Sequence, residues 1–199
     1  MALFTIDDAT NYALPQSKKP GVCAVVEQPG RTRTIVGRVS DTVAELWPPL
    51  QPGHSDHYAS AGLWSVHELL FHFLQQTGPA DVTIATWSVT EDAVRMLVAG
   101  IESGILRKLR LLIDARVIRR NASAYAFVRA HAELVRITAC HAKVTVIRNE
   151  HWSISINGSP NYTNNPRIES GVVTESGLIA DFHTDWIEGE MSKLKPFGL

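Results

Sequence analysis

His141 and Lys143 stand one residue apart in the run Cys140-His141-Ala142-Lys143-Val144-Thr145-Val146-Ile147, whose β-branched residues read as a buried strand. Side chains at i and i+2 of a strand leave the same face, so an imidazole and an ammonium would enter one pocket. Downstream, Gly158-Ser159-Pro160-Asn161 reads as a turn, and Glu169 adds a carboxylate. A neutral imidazole can attack phosphorus and form a covalent phosphohistidine, which splits one hard displacement into two easier ones. Lys143, a point charge, would stabilise the non-bridging oxygens, with the Asn161 amide and the Ser159 hydroxyl as further donors. Gly158 allows close backbone approach. These are the parts of a phosphodiester attack without a metal, and no cofactor is expected.

The pattern around these residues predicts a mixed, mostly parallel β-sheet flanked by helices, of α/β class. Residues 144–147 and 152–156 pair across Arg148-Asn149-Glu150-His151 as a hairpin that displays the two halves of the site. Upstream, 82–87 is a β-rich run, and Ser88 with Glu91 predicts a capping box opening a helix through Ser103. Gly104 stops that helix and 108–113 gives another strand, so the unit is a right-handed parallel crossover. Val66, Leu69, Leu70, Phe73 and Leu74 follow helical spacing, and Gly78-Pro79 closes that helix. Residues 122–132 read as helix, 134–138 and 171–174 as strands. Leu178, Ile179, Phe182, Trp186 and Ile187 form the expected core stripe of a C-terminal helix. Toward the N-terminus, 1–20 reads as an arm, 22–26 and 34–39 as strands, 40–47 as a short helix, and 51–60 as a polar loop. The expected division is an N-terminal extension with short strands over 1–60 and the main domain over 61–199.

Over residues 81–173 this arrangement resembles the phospholipase D superfamily. His141-Ala142-Lys143 and Gly158-Ser159-Pro160-Asn161 match that family's HxK and GSxN positions, and Glu169 matches its following carboxylate. The resemblance implies a phospholipase D-like fold, a metal-independent phosphodiesterase reaction through phosphohistidine, and a Glu169 that orients His141. It implies catalytic roles for His141, Lys143, Asn161 and Glu169, and phosphate binding by Lys143, Ser159 and Asn161. The aspartate that the family carries five residues after the lysine is Arg148 here, at a position that in the family mainly supports structure. The HxK pair occurs once, whereas the family mechanism uses two histidines, so a homodimer with the site at its interface is the expected partner arrangement. Small single-motif members are mostly nucleases, which makes a nuclease the leading reading. The second is an inert nucleic-acid-binding or assembly subunit that keeps the phosphate pocket.

Charge patterning supports a nucleic-acid partner despite a net charge of −1. Between Gly104 and Arg148 ten basic residues face only Asp114 and Glu133, whereas every charged residue from Glu169 to Glu190 is acidic. A polyanion responds to the local field, so Arg107, Lys108, Arg116, Arg119 and Arg120 are candidate backbone contacts. Two cysteines without a CxxC pair fit a reducing compartment, and the first residues lack a secretory pattern, so a cytoplasmic location is expected. No apolar run approaches a membrane span, and no membrane partner is expected. Cys140 reads as a buried small hydrophobe, and Trp87, Trp152 and Trp186 as core. His67 and His72 sit on the first clear helix and read as boundary residues between core and solvent, and His54 and His57 as loop histidines without a metal.

Overall fold

The computed structural model describes residues 32–36, 42–60, 62, 64–164 and 167–193. The arm expected over 1–20 and the strand over 22–26 lie outside them, as does Cys23. An eight-stranded sheet runs in the order β1-β2-β8-β7-β6-β3-β4-β5. Its strands are β1 (Thr32–Val36), β2 (Ser55–Ser60), β3 (Ala80–Thr86), β4 (Leu106–Asp114), β5 (Leu134–Thr138), β6 (Lys143–Arg148), β7 (Ser153–Gly158) and β8 (Glu169–Glu175). The described helices are α1 (Val43–Leu46), α2 (Val66–Thr77), α3 (Glu91–Glu102), α4 (Arg116–Arg120), α5 (Ala122–His131) and α6 (Gly177–Lys193). Among the described residues, no helix is long and apolar enough to cross a membrane.

The sheet is mixed as expected, but not mostly parallel. β1–β2, β3–β4 and β4–β5 are parallel, whereas β2–β8, β3–β6, β6–β7 and β7–β8 are antiparallel. Short connections explain the balance: β6, β7 and β8 follow one another closely enough to meander, while only strands separated by a helix can pair in parallel. β3–α3–β4 is the expected crossover.

Helices α2, α3 and α5 cover one face of the sheet over a large apolar cluster. In α2, Leu69, Leu70, Phe73 and Leu74 are fully buried, each worth roughly 2–3 kcal/mol of transfer free energy. Ser65 caps α2 by accepting from the Glu68 amide, while the Glu68 carboxylate accepts from the Ser65 amide at 2.7 Å. Thr42 and Glu45 do the same for α1. The box expected at Ser88 and Glu91 is absent: Thr90 occupies the cap of α3 without a side-chain cap bond. The backbone of Ser88 instead accepts from the Tyr162 amide, and the Thr90 hydroxyl faces the Tyr162 carbonyl.

Three further expectations are corrected. Residues 55–60 form β2, paired with both β1 and β8, rather than a loop. The strand was hidden because its inward face carries Asp56 between Tyr58 and the sheet edge. Asp56 is buried because Arg33 donates to both carboxylate oxygens at 2.6 and 2.7 Å and Trp47 Nε1 donates at 3.1 Å. The described strands of the extension thus continue the sheet. His67 is not a boundary residue but buried, and burial lowers its imidazole. In α6 the buried stripe is Ala180, His183, Ile187 and Met191, while Leu178, Ile179 and Phe182 are exposed. Both stripes fit the helical period. The sheet selects the one with small and hydrogen-bonding members, because His183 takes a bond from Trp186 Nε1 at 3.1 Å and lies 3.5 Å from Asn157 Nδ2.

Candidate functional site

The sequence motif is brought together at one end of the sheet by strand register. Thr86, the last residue of β3, pairs with Lys143, the first of β6. Gly158 ends β7 beside the start of β8, and Glu169 begins β8 opposite Ser60. The C-terminal ends of the parallel strands β3 and β4 and the starts of β6 and β8 therefore share one edge, the position where open α/β sheets hold ligands.

His141 is exposed, just ahead of β6. The Lys143 ammonium donates to the His141 carbonyl at 2.9 Å and lies 3.3 Å from each ring nitrogen. The two side chains are thus in contact, although His141 stands ahead of the strand rather than on it. Partial burial lowers the Lys143 ammonium, opposed by Cys140 and by the charge of Glu169.

The second half of the motif is fixed by the core. The Tyr162 ring is buried, and its hydroxyl meets the Thr145 hydroxyl of β6 at 2.6 Å. The Tyr162 backbone exchanges bonds with the loop after β3, through Thr90 N at 2.8 Å and Ser88 O at 3.2 Å. This zipper sets Asn161 beside the end of β3, with its Oδ1 enclosed and without a hydrogen-bond partner. An enclosed amide oxygen without a donor is costly, and the Nδ2 of the same amide is the group that could donate to an anion. Ser159 accepts from the Ser170 amide at 3.0 Å and donates to the Glu169 carboxylate. Its hydroxyl is therefore engaged in holding β8 to the turn, not only available to phosphate. Glu169 also acts electrostatically on Lys143 and on buried Tyr58, whose phenol is raised chiefly by burial.

Gly158 is required by its neighbour strand. A Cβ there would meet the Ser170 carbonyl at 2.5 Å and Gly171 Cα at 2.8 Å. A Cβ on Gly171, its partner in register, would meet the Asn157 carbonyl at 2.6 Å. The close approach that glycine permits is between β7 and β8, bringing Ser159 and Glu169 together.

Two groups in this site were not among the sequence candidates. Buried Asp114, at the end of β4, accepts from the Cys140 amide at 3.0 Å, from the Arg116 amide at 3.0 Å and from Arg116 Nε at 2.7 Å. It fastens the segment that carries His141 to the sheet. The Arg116 side-chain bond above all holds its carboxyl down at about 2. Trp87, directly after β3, has its ring 5.6 Å from that of His141. Arg116, Arg120 and Lys143 stand 4.9, 5.9 and 5.9 Å from the indole centroid. The signal available was the position of both residues at strand ends next to the motif. Cys140 is buried, as read from sequence, and burial raises its thiol.

The basic block divides. Arg116, Arg119 and Arg120 lie on α4, directly after the end of β4. Arg107 and Lys108 lie at the opposite end, where Arg107 bonds Asp81 at 3.2 Å and Glu150 at 2.8 Å and Lys108 lies 4.0 Å from Glu133. Register places Arg148 at that far end too, opposite Asp81. It pairs with Asp181 and donates to the Gly177 carbonyl at 3.3 Å, tying the first turn of α6 to β6. A substitution there therefore does not touch the pocket.

No protein-family model matches the chain, and no curated protein matches it. Among solved structures it is similar to Nuc from Salmonella typhimurium, a phospholipase D family member. That match has a TM-score of 0.54 and 18% identity, over 66% of this chain and 90% of Nuc. It is also similar to polyphosphate kinase from Porphyromonas gingivalis, with a TM-score of 0.50 and 16% identity, over 68% of this chain and 26% of the kinase. A third similar structure is TrmBL2, an archaeal chromatin protein described as showing a novel mode of DNA binding. Its TM-score is 0.50 at 11% identity, over 71% of this chain and 55% of TrmBL2. By its sheet, its crossover and its likeness to Nuc, the chain has the phospholipase D-like fold.

Proposed function

We propose that this chain is a metal-independent phosphodiesterase, a nuclease that works through a phosphohistidine intermediate as a homodimer. The observation that supports the reading is the contact of Lys143 with His141, at the sheet end that also carries Asn161, Ser159 and Glu169. The neutral His141 imidazole attacks phosphorus, and the bond to the leaving oxygen breaks as that oxygen takes a proton from a second imidazole. One chain supplies one such imidazole, so the acid is His141 of a second copy across a two-fold axis. Lys143 and Asn161 bind the non-bridging oxygens, and Glu169 keeps the ring of His141 oriented. Water, deprotonated by the second imidazole, then attacks the same phosphorus, and the P–N bond breaks to free His141 and a strand ending in a phosphomonoester.

The test is cleavage of nucleic acid in excess EDTA by the parent and by His141→Ala, with denaturing acid-free capture of a phosphorylated protein in single turnover. EDTA-resistant cleavage and a phosphoryl adduct that both vanish in the variant are expected. A well-folded dimer that cleaves no phosphodiester across pH 5 to 9 would sink the reading. The similarity to TrmBL2 favours a second reading, a DNA-binding subunit without catalysis. Tight binding without cleavage is its signature.

A further inference from the structure

Trp87 differs from every other tryptophan of the chain. Trp47 and Trp64 lie inside the large apolar cluster, Trp152 packs against it, and Trp186 packs against the smaller cluster under α6. Trp87 belongs to neither. It is partly exposed, its Nε1 is enclosed without a hydrogen-bond partner, and a histidine and three cations stand around its ring. It stands one residue beyond the Thr86–Lys143 pair, beside the segment that carries His141.

Helix α4 supplies the other side of this rim. Arg116, Arg119 and Arg120 are spaced i, i+3, i+4, so they share one face of the helix. Val117 faces the core and fixes the orientation of that face. Arg116 is held by Asp114, while Arg119 and Arg120 have no acidic partner among the described residues. Arg120, 5.9 Å from the indole centroid, is beside the ring, and Arg119 shares its helix face. An aromatic ring next to such guanidinium groups is the chemistry that takes a base and its phosphate, since the base stacks and the guanidinium binds the backbone.

We propose that Trp87, Arg119 and Arg120 form a subsite for the nucleotide next to the scissile phosphate, and that it selects single-stranded nucleic acid. The inference rests on the phosphodiesterase reading and adds the substrate class to it. A base inside a duplex has both faces stacked and must leave the helix to reach an indole, whereas a single strand offers its bases at little cost. The arginines alone do not distinguish the two forms, since both present phosphates. Discrimination is thus assigned to Trp87 and non-selective affinity to Arg119 and Arg120.

The experiment measures binding in the His141→Ala background, where no cleavage interferes. Its three fluorescein-labelled probes are a single-stranded oligodeoxynucleotide, the matching duplex, and an abasic strand of the same length. The single strand binds tightest of the three. Trp87→Ala weakens it by about tenfold to a hundredfold, the size of one lost stack, and changes abasic binding by less than about twofold. Trp87→Phe keeps most of the affinity. Arg120→Ala weakens all three probes and makes log affinity less steep in log salt by about one. Equal losses on intact and abasic strands in Trp87→Ala would overturn the proposal, since the indole would then only hold the arginines in place. A preference for duplex overturns it as well. Hydrolysis of bis(p-nitrophenyl) phosphate, a diester without a base, reports on the underlying reading separately. If the parent hydrolyses that ester but binds no single strand, the subsite falls and the phosphodiesterase stands. If it does neither, both fall.

Discussion

The two ends of the β3–β6 pair carry the same residue types and treat them in opposite ways. At the far end, Asp81 sits opposite Arg148 in register, and Arg107 bridges Asp81 and Glu150. Arg148 reaches Asp181 on α6, and Arg110, further along β4, reaches Glu133 and Glu188. Cations there fasten one element to another. At the near end, Lys143 leans on a carbonyl and an imidazole, and Arg119 and Arg120 have no acid beside them among the described residues. One basic stretch of sequence thus becomes a structural brace at one end and an electropositive rim at the other. The acids that pair with the bracing cations come from several elements: Asp81, Glu133 and Glu150 take Arg107, Lys108 and Arg110, while Asp181 and Glu188 on α6 take Arg148 and Arg110. A polyanion responds to the local field, so the near end is the end at which the proposed function is tested.

The largest effect separates the ends outright. His141→Ala is expected to lower EDTA-resistant cleavage by about ten-thousandfold or more, as loss of a nucleophile does. Arg107→Ala, which removes exposed ion pairs, leaves the rate within about twofold. A comparable loss in Arg107→Ala would erase the distinction.

Lys143→Met comes next, at about a hundredfold to a thousandfold in kcat/KM, the size expected for a group that stabilises developing charge. The ammonium is the working form, and burial lowers it below the ordinary 10.5 of lysine. Activity of the parent therefore falls as pH rises, with a midpoint below that value. Lys143→Arg keeps its charge to higher pH and extends the plateau. A parent profile flat to pH 11 would remove Lys143 from the reaction.

Asp114 neutralises Arg116 at the near end while holding the Cys140 amide. Its carboxyl sits at about 2 rather than 3.8, so the folded state favours the ionised form. The resulting stabilisation, about 2 kcal/mol, is fully present above pH 4 and is lost as pH falls from about 4 toward 2. Asp114→Asn lowers stability by that order at pH 7, measured by urea unfolding, and the gap to the parent closes in acid. A gap independent of pH would show that the carboxylate charge plays no part.

Much of the near end was legible because its residues are close in sequence and its strands are short, β-branched runs with turns between them. Lys143 opens β6 and His141 stands two residues ahead of it, so their closeness follows from sequence separation alone, and the hairpin of β6 and β7 needs only the short turn after Arg148. Elsewhere the pattern depends on partners distant in the chain. β2 reads as a loop until Arg33 and Trp47 arrive to satisfy Asp56. The phase of α6 is ambiguous because two stripes share one period, and apolar content favours Leu178 and Phe182, which the structure leaves exposed. Asp114 and Trp87 carry no motif. Their roles exist only once β4 and β3 end beside the segment that carries His141.

The smallest effect lies at the far end, where Arg148 stands in place of an aspartate. Arg148 and Asp181 are 35% and 58% exposed, so their pair contributes about 0.5–1 kcal/mol. Arg148→Asp sets two carboxylates against each other, adds repulsion from Asp81 across the register, and destabilises by more than Arg148→Ala does. Adding Asp181→Arg restores an ion pair of reversed polarity and recovers part of the loss, with a coupling of about 0.5–1 kcal/mol in a double-mutant cycle. Through all four proteins kcat/KM changes by less than about threefold, because the pocket lies at the other end of β6. A rate that tracked the cycle instead would mean that α6 transmits its docking to His141, and the two ends would have to be treated as one unit.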